Sequence, residues 1–136
     1  MDKRIIVFTN GCFDLFHAGH VKLLYEAKRL GDKLYVGLNS DKSVRSIKRS
    51  DRPIIPQDQR FEIVAACKYV DKVFFFDEET PIKLIETIMP DIIVKGGDYN
   101  PLDVVGAHLA KVVIVPLLPD VSTSKIIQTI IKTKEI

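Results

Sequence analysis

Cysteine is scarce in this chain of 136 residues: Cys12 and Cys67 stand far apart, form no C-x-x-C pair, and exclude both a disulfide scaffold and a cysteine metal cluster. A dominant charge is also missing. Twenty Lys plus Arg against eighteen Asp plus Glu leave a net charge of only +2, so neither general nucleic-acid binding nor membrane-surface binding is expected. The longest apolar runs, such as Val112 to Leu118, are short and broken by Pro116, and no charged start leads into an apolar segment; the expectation is a soluble, cytoplasmic protein with no membrane partner. Internal repeats, low-complexity tracts and interdomain linkers are absent, and the length suits one domain, 1–136. There is no G-x-x-x-x-G-K-[ST] loop and no G-x-S-x-G elbow, which argues against P-loop phosphotransfer and acyl-enzyme chemistry.

What is present is alternation. Apolar runs Ile5–Phe8, Leu34–Leu38, Val73–Phe76, Ile92–Val94 and Val112–Val115 read as strands. Between and after them, helical spacing predicts helices over Val21–Leu30, Gln57–Val70, a segment opened by Thr80 as N-cap with Pro81 at the first helical position, and a final helix through Ile126, Ile127, Ile130 and Ile131. Lys42 to Arg52 carries five cations and reads as a short helix passing into a mobile loop. Strand and helix alternating five times predict an α/β fold: a single-domain, Rossmann-like, doubly wound parallel sheet of about five strands. In such a sheet ligands gather beyond the carboxyl ends of the strands. The all-apolar Val73–Phe76 is expected to be covered on both faces.

The polar turns all follow strands, so they should meet on that edge. Asn10 to His20 joins the first strand to the first helix, with His17 and His20 three residues apart at the helix mouth. Helix N-termini present unpaired N–H groups, and imidazoles there add donors with little permanent charge, an arrangement suited to a polyphosphate. Ser122-Thr123-Ser124 opens another helix and could hold the other end. A phosphate acceptor is largely dianionic at neutral pH and needs little base catalysis. The histidines are therefore read as donors to charge growing on the phosphates rather than as proton shuttles.

Gly11-Cys12-Phe13-Asp14, His17-Ala18-Gly19-His20 and Ser122-Thr123-Ser124 resemble the cytidylyltransferase-like nucleotidyltransferase superfamily. Thr9-Asn10-Gly11, Asn39-Ser40-Asp41, Arg52-Pro53, Val70-Asp71, Thr80-Pro81 and Val94-Lys95-Gly96-Gly97-Asp98-Tyr99 extend the similarity over nearly the whole chain, toward the D-glycero-β-D-manno-heptose 1-phosphate adenylyltransferase branch. The resemblance implies transfer of AMP from ATP to a heptose 1-phosphate with release of pyrophosphate. It makes His17, His20 and Lys48 the catalytic candidates. Gly11, Cys12, Phe13, Lys95, Gly96, Gly97, Ser122, Thr123 and Ser124 join the histidines as nucleotide-binding candidates. Asn10, Asp14, Asn39, Asp41 and Arg60 are acceptor-binding candidates, Arg60 alternatively supporting a dimer contact. Mg²⁺ is expected to arrive mainly on the ATP phosphates, with no dedicated metal ligands. A homodimer and a separate sugar kinase are the implied partners.

Blander readings stand beside these. Cys12 can be a small packing residue, Arg45 and Arg49 surface charge, Phe74 to Phe76 core, and His108 structural or exposed. Leu117 and Leu118 occupy the place where glycerol-phosphate cytidylyltransferases carry an arginine, and the stretch between Gly106 and Lys111 is shorter than in the heptose relatives. The competing functions are a cytidylyltransferase for glycerol 3-phosphate or another small phosphate, and a non-catalytic nucleotide-sensing or RNA-binding module.

Overall fold

The computed structural model describes residues 3–48 and 51–134; Arg49, one of the two residues read as surface charge, lies outside the described residues. Five strands, β1 (Ile6–Gly11), β2 (Lys33–Asn39), β3 (Lys72–Phe76), β4 (Ile92–Gly96) and β5 (Lys111–Val115), form one sheet in the order β3-β2-β1-β4-β5. Every pairing is parallel. β1 is central, and Val7 and Phe8 on its two faces are wholly buried. Burial of such side chains, at roughly 1.5–3 kcal/mol each, is what holds the layers together.

The helices are α1 (Ala18–Lys28), α2 (Asp41–Ile47), α3 (Gln57–Ala66), α4 (Ile82–Ile88) and α5 (Thr123–Lys134), with a 3₁₀ turn at Pro101–Asp103. Leu24 and Ala27 of α1 and Val64 of α3 pack with Val7, Leu34, Val36, Leu38 and Val94 on one face of the sheet. On the opposite face Ile85 of α4 packs with Phe8 and Ile93, and Val104, Leu109 and Val112 complete that layer. Both faces of a parallel sheet are thereby covered, as its apolar strands require.

The two edges of the sheet differ. At the amino ends, Asp32, Asp71 and Asp91 accept the N–H groups of Ile5, Leu34 and Ile6 at 2.7–2.8 Å. Those orphan donors are satisfied locally. At the carboxyl ends the chain instead opens into turns, and β1 has β2 on one side and β4 on the other, which creates the switch-point crevice.

Several expectations are corrected. α1 begins at Ala18 rather than Val21, so the H-x-G-H segment is the first helical turn itself. α3 stops at Ala66 instead of Val70. Pro81 is the N-cap of α4 rather than its first helical residue, and Thr80 makes no side-chain cap. β3 is an edge strand, not a strand covered on both faces: Phe75 stays 40% exposed, although its ring lies 5.3 Å from that of Phe61.

Candidate active site

A cavity of about 600 Å³ opens at the carboxyl ends of the strands. Its floor is the β1–α1 turn, where Phe13 and Leu15 take the left-handed conformation (φ +50° and +48°) on either side of Asp14. That unusual backbone persists because both neighbours over-determine it. The buried Phe13 ring lies 5.1 Å from His20, and each Asp14 carboxylate oxygen accepts a backbone N–H, from Ile54 at 2.7 Å and Ile55 at 2.9 Å. The Asp14 carbonyl also accepts from Thr123 Oγ1 at 2.6 Å, which ties the start of α5 to the same turn.

The two histidines set each other's geometry. His17 is the N-cap of α1, and its Nδ1 accepts the Gly19 N–H at 3.1 Å. His20 Nδ1 accepts the His17 N–H, also at 3.1 Å, and the rings stack at 3.8 Å. A neutral imidazole that accepts at Nδ1 carries its proton on Nε2. Both rings are therefore Nε2–H donors at the cavity wall. Burial, the neighbouring His17 and, in the opposite sense, Asp14 bring His20 down to about 4, and burial alone lowers His17. Near neutral pH the pair is uncharged. Gly19 is required by close approach: a Cβ there would lie 2.9 Å from His17 Cε1.

Among the remaining expected nucleotide ligands, Gly11, Cys12, Phe13, Lys95, Ser122, Thr123 and Ser124 line this cavity, as does Lys48 at the end of α2. Ser122 caps α5, accepting the Lys125 N–H at 3.1 Å, whereas Thr123 and Ser124 lie within its first turn. Lys95 Nζ sits over the Tyr99 ring at 5.1 Å. Burial pushes the Cys12 thiol above its ordinary value, against the opposing pull of nearby cations, in keeping with a packing role.

Gly96 and Gly97 do not line the cavity. They shape the exit of β4: Gly97 adopts φ +125°, and a Cβ there would fall 2.8 Å from the Tyr99 ring, so the glycine lets that ring fold back beside Lys95.

Of the acceptor candidates, Asn10, Asp14 and Asn39 line the cavity. Asp14 does so with its carboxylate engaged by two amides, which makes it an anchor for residues 54–55. Arg60 and Asp41 are corrected. Arg60 is fully buried, lies outside the cavity wall, and donates from Nε to Ile55 O, from Nη1 to Cys12 O and Asn39 O, and from Nη2 to Asp41 Oδ1, all at 2.7–2.8 Å. It joins the β1–α1 turn, the end of β2 and the loop before α3, and Asp41 is its counter-ion.

Arg52 was not among the sequence candidates as a ligand. It lines the cavity, and its Nη2 reaches Ser124 Oγ at 3.3 Å across 72 positions of sequence. Its signal was hidden in a run of five cations, where only the adjoining Pro53 set it apart. Glu79, Thr80, Tyr99 and Asp103 also line the cavity without having been singled out as ligands. His108 is exposed and does not line this cavity.

Comparison with known proteins agrees with this geometry. The family model described as cytidylyltransferase-like matches residues 8–133. "Bifunctional protein HldE" of Syntrophotalea carbinolica is 50% identical over 137 residues, covering 97% of this chain and 28% of that protein. The protein of the same name from Campylobacter jejuni subsp. doylei is 53% identical over 130 residues, covering 95% and 28%. The chain thus spans little more than a quarter of these relatives' length. A crystal structure of the lipopolysaccharide core biosynthesis protein from Thermoplasma volcanium superposes with a TM-score of 0.71 at 28% identity, covering 85% of this chain and 98% of that one. With a family model spanning nearly all of the sequence and a matching sheet and switch-point cavity, this chain belongs to the cytidylyltransferase-like family.

Proposed function

We propose that this domain transfers AMP from ATP to a heptose 1-phosphate, releasing pyrophosphate and forming an ADP-heptose for surface-glycan synthesis. The observation that carries the transfer reading is the pair of stacked, neutral histidines presenting Nε2–H donors into the same cavity as the first turn of α5. The heptose reading is supported by the names of the relatives at about 50% identity and of the Thermoplasma structure. Leu117 and Leu118 on the wall favour ATP over CTP, because no arginine is offered there.

In this mechanism an oxygen of the acceptor phosphate attacks the α-phosphorus, a new P–O bond forms, and the bond to the β-phosphate oxygen breaks with its electrons leaving on pyrophosphate. His17 and His20 donate to the phosphate oxygens on which charge grows. Lys48, Arg52 and Lys95 neutralise the polyphosphate, and the N–H groups and hydroxyls at the start of α5 hold its far end. Alignment of the two phosphates supplies much of the remaining rate gain.

Mg²⁺ is proposed to arrive on the nucleotide. The protein's donor set does not suit a cage of its own: among the described residues no three His, Cys, Asp or Glu side chains converge, and the Asp14 carboxylate is engaged by two amides. No step is assigned to the ion. We place the reaction in the cytoplasm, with a separate sugar kinase supplying the acceptor. No described helix is long and apolar enough to cross a membrane. The homodimer reading is carried by the outer face of α3, where Ile63 is 43% exposed while Arg60 points inward.

Pyrophosphate release with each nucleoside triphosphate against heptose 1-phosphate, other sugar 1-phosphates and glycerol 3-phosphate tests the proposal. Turnover with ATP and heptose 1-phosphate is expected. Turnover with CTP alone would replace it by the cytidylyltransferase reading, and no release with any pair would favour a binding module.

A further inference from the structure

Three permanent cations, Lys48, Arg52 and Lys95, line the cavity, and among the described residues only Lys95 rests on an aromatic face. It lies near the carboxyl end of β4, beside the central strand, and its Nζ sits 5.1 Å from the centroid of the Tyr99 ring. Within about 6 Å a ring face attracts a cation through its quadrupole. Lys95 forms no ion pair among the described residues, so no carboxylate cancels its charge.

The backbone between these two residues is shaped for the contact. Gly97 takes φ +125°, and a Cβ there would fall 2.8 Å from Tyr99 Cε2, so the ring can fold back toward Lys95 only over a glycine. The Gly97 N–H donates to Val115 O at 2.9 Å, which fixes this reversal to β5. Beyond the ring, Asn100 Oδ1 accepts the Leu102 N–H at 3.1 Å and Asn100 O accepts the Asp103 N–H at 2.9 Å, which sets the 3₁₀ turn. Tyr99 is therefore carried between two fixed points, and its half-exposed ring lines the same cavity as the lysine. The Tyr99 hydroxyl makes no hydrogen bond among the described residues; its ring is the part that meets Lys95.

We infer that Tyr99 is a positioning residue, whose ring holds the Lys95 ammonium at the cavity wall with its charge intact for the phosphates of the nucleotide. A carboxylate could hold the ammonium as firmly, but it would offset the charge and compete with phosphate oxygens for the same donors. A ring face does neither, and the N–H groups turned away from it stay free. Lysine carries its charge on a flexible four-carbon stem, so restraining that stem beforehand lowers the ordering cost of binding. The role proposed above for Lys95, neutralising the polyphosphate, underlies this assignment; Tyr99 is the residue that prepares it.

The test is calorimetry of α,β-methylene-ATP with Mg²⁺ on the wild type, Tyr99→Leu, Tyr99→Phe, Lys95→Met and the double variant Tyr99→Leu/Lys95→Met. Tyr99→Leu is expected to raise Kd about threefold to tenfold, and Tyr99→Phe to restore the wild-type value. Once Lys95 is replaced by Met, adding Tyr99→Leu should change Kd by less than about twofold. In steady-state pyrophosphate release the loss in Tyr99→Leu should appear in the KM for ATP with kcat held within about twofold, because a permanent cation binds the ground state and the transition state alike. In the free protein, proton NMR should find the Lys95 ε-methylene upfield of the other lysines in the wild type and Tyr99→Phe, and among them in Tyr99→Leu. A Kd loss on Tyr99→Leu that persists in the Lys95→Met background, an equal loss in Tyr99→Phe, or a Lys95 ε-methylene with no upfield shift would overturn the positioning role. Nucleotide binding without pyrophosphate release from any acceptor refutes the transfer alone, and the double-variant comparison still judges Tyr99. A wild type that binds no nucleotide overturns both.

Discussion

Replacing Arg60 by Met should destabilise the fold rather than weaken a ligand contact. Its guanidinium is wholly buried and donates four hydrogen bonds, three to the carbonyls of Cys12, Asn39 and Ile55 and one to the Asp41 carboxylate. A methionine fills much of the volume of the aliphatic stem and leaves those acceptors without a donor. Each orphaned buried acceptor costs about 1–3 kcal/mol, but relaxation and entering water make the losses less than additive. Breaking a buried pair from one side, at about 3–5 kcal/mol, is the better guide for the whole substitution. For a domain of this size that corresponds to a fall in Tm of roughly 10–18 °C. Arg60→Lys keeps the charge and can still reach Asp41, yet one ammonium cannot span four acceptors in three segments, so about half of the loss is expected. Thermal and urea unfolding followed by circular dichroism give both numbers. If Arg60 were an acceptor ligand, Arg60→Lys would raise the KM for the sugar phosphate while leaving Tm in place. That result, or a loss below about 1 kcal/mol in Arg60→Met, would refute the staple.

Three further outcomes follow from the histidine pair. Gly19→Ala forces a Cβ to within 2.9 Å of His17 Cε1, so the ring must move, while alanine in a first helical turn costs no helix stability; kcat should fall by about tenfold to a hundredfold with Tm unchanged or raised. A Gly19→Ala enzyme with full kcat would show that the ring position is unimportant. His17→Ser retains an N-cap oxygen but loses the Nε2–H donor, so it should keep the Tm of the wild type and lose kcat as heavily as His17→Ala, which loses the cap as well; equal Tm losses in the two would count against the cap. Finally, His20 is lowered from 6.5 to about 4 in the folded protein, chiefly by burial. Between those values the unfolded chain binds the proton that the folded chain excludes, so this residue's contribution to stability is fully present above about 6.5 and is lost as pH falls toward 4. Urea midpoints of His20→Gln should fall less steeply than those of the wild type between pH 7 and 5, and parallel curves would contradict the buried neutral imidazole.

The sheet was legible because parallel strands buried on both faces must be continuous apolar runs, and five such runs are visible in the chain. The placing of His17, His20 and Ser122 at helix mouths was legible for a similar reason: each is held by local helix-capping bonds, which a spacing of two or three residues encodes. What escaped the sequence is non-local. Arg60 lies on a helical face with ordinary polar neighbours, and only the fold reveals that its donors meet carbonyls from three segments. Arg52 looks like one more cation in a basic run until Ser124 is brought beside it. Asp14 is expected to face a ligand because it sits in the turn, but its carboxylate accepts the amides of Ile54 and Ile55, 40 and 41 positions away in sequence. Of Phe74 to Phe76, all read as core, Phe76 is buried, but Phe75 stays exposed because β3 lies at an edge, and strand order cannot be read from composition.

Under the proposed transfer, these features bear on why the site would use neutral imidazoles at its centre and leave permanent cations to other segments. A cation held rigidly against the α-phosphate would bind ATP in its ground state nearly as well as in the transition state, and uniform binding of that kind does not raise kcat. A fixed N–H dipole gains most where charge increases during the reaction, provided that its orientation is already paid for. In this protein the orientation comes from the chain itself: each imidazole spends its Nδ1 lone pair on a backbone N–H at the start of α1, stacking at 3.8 Å locks the pair, and Phe13 and Phe16 flank His20 at 5.1 and 5.4 Å. The same burial that orients the rings keeps them uncharged, so orientation and neutrality have a single structural cause. Lys48 and Arg52 stand outside this unit, on the segment that Asp14 anchors through residues 54 and 55. Their charge can therefore serve the incoming polyphosphate without altering the protonation of the two rings.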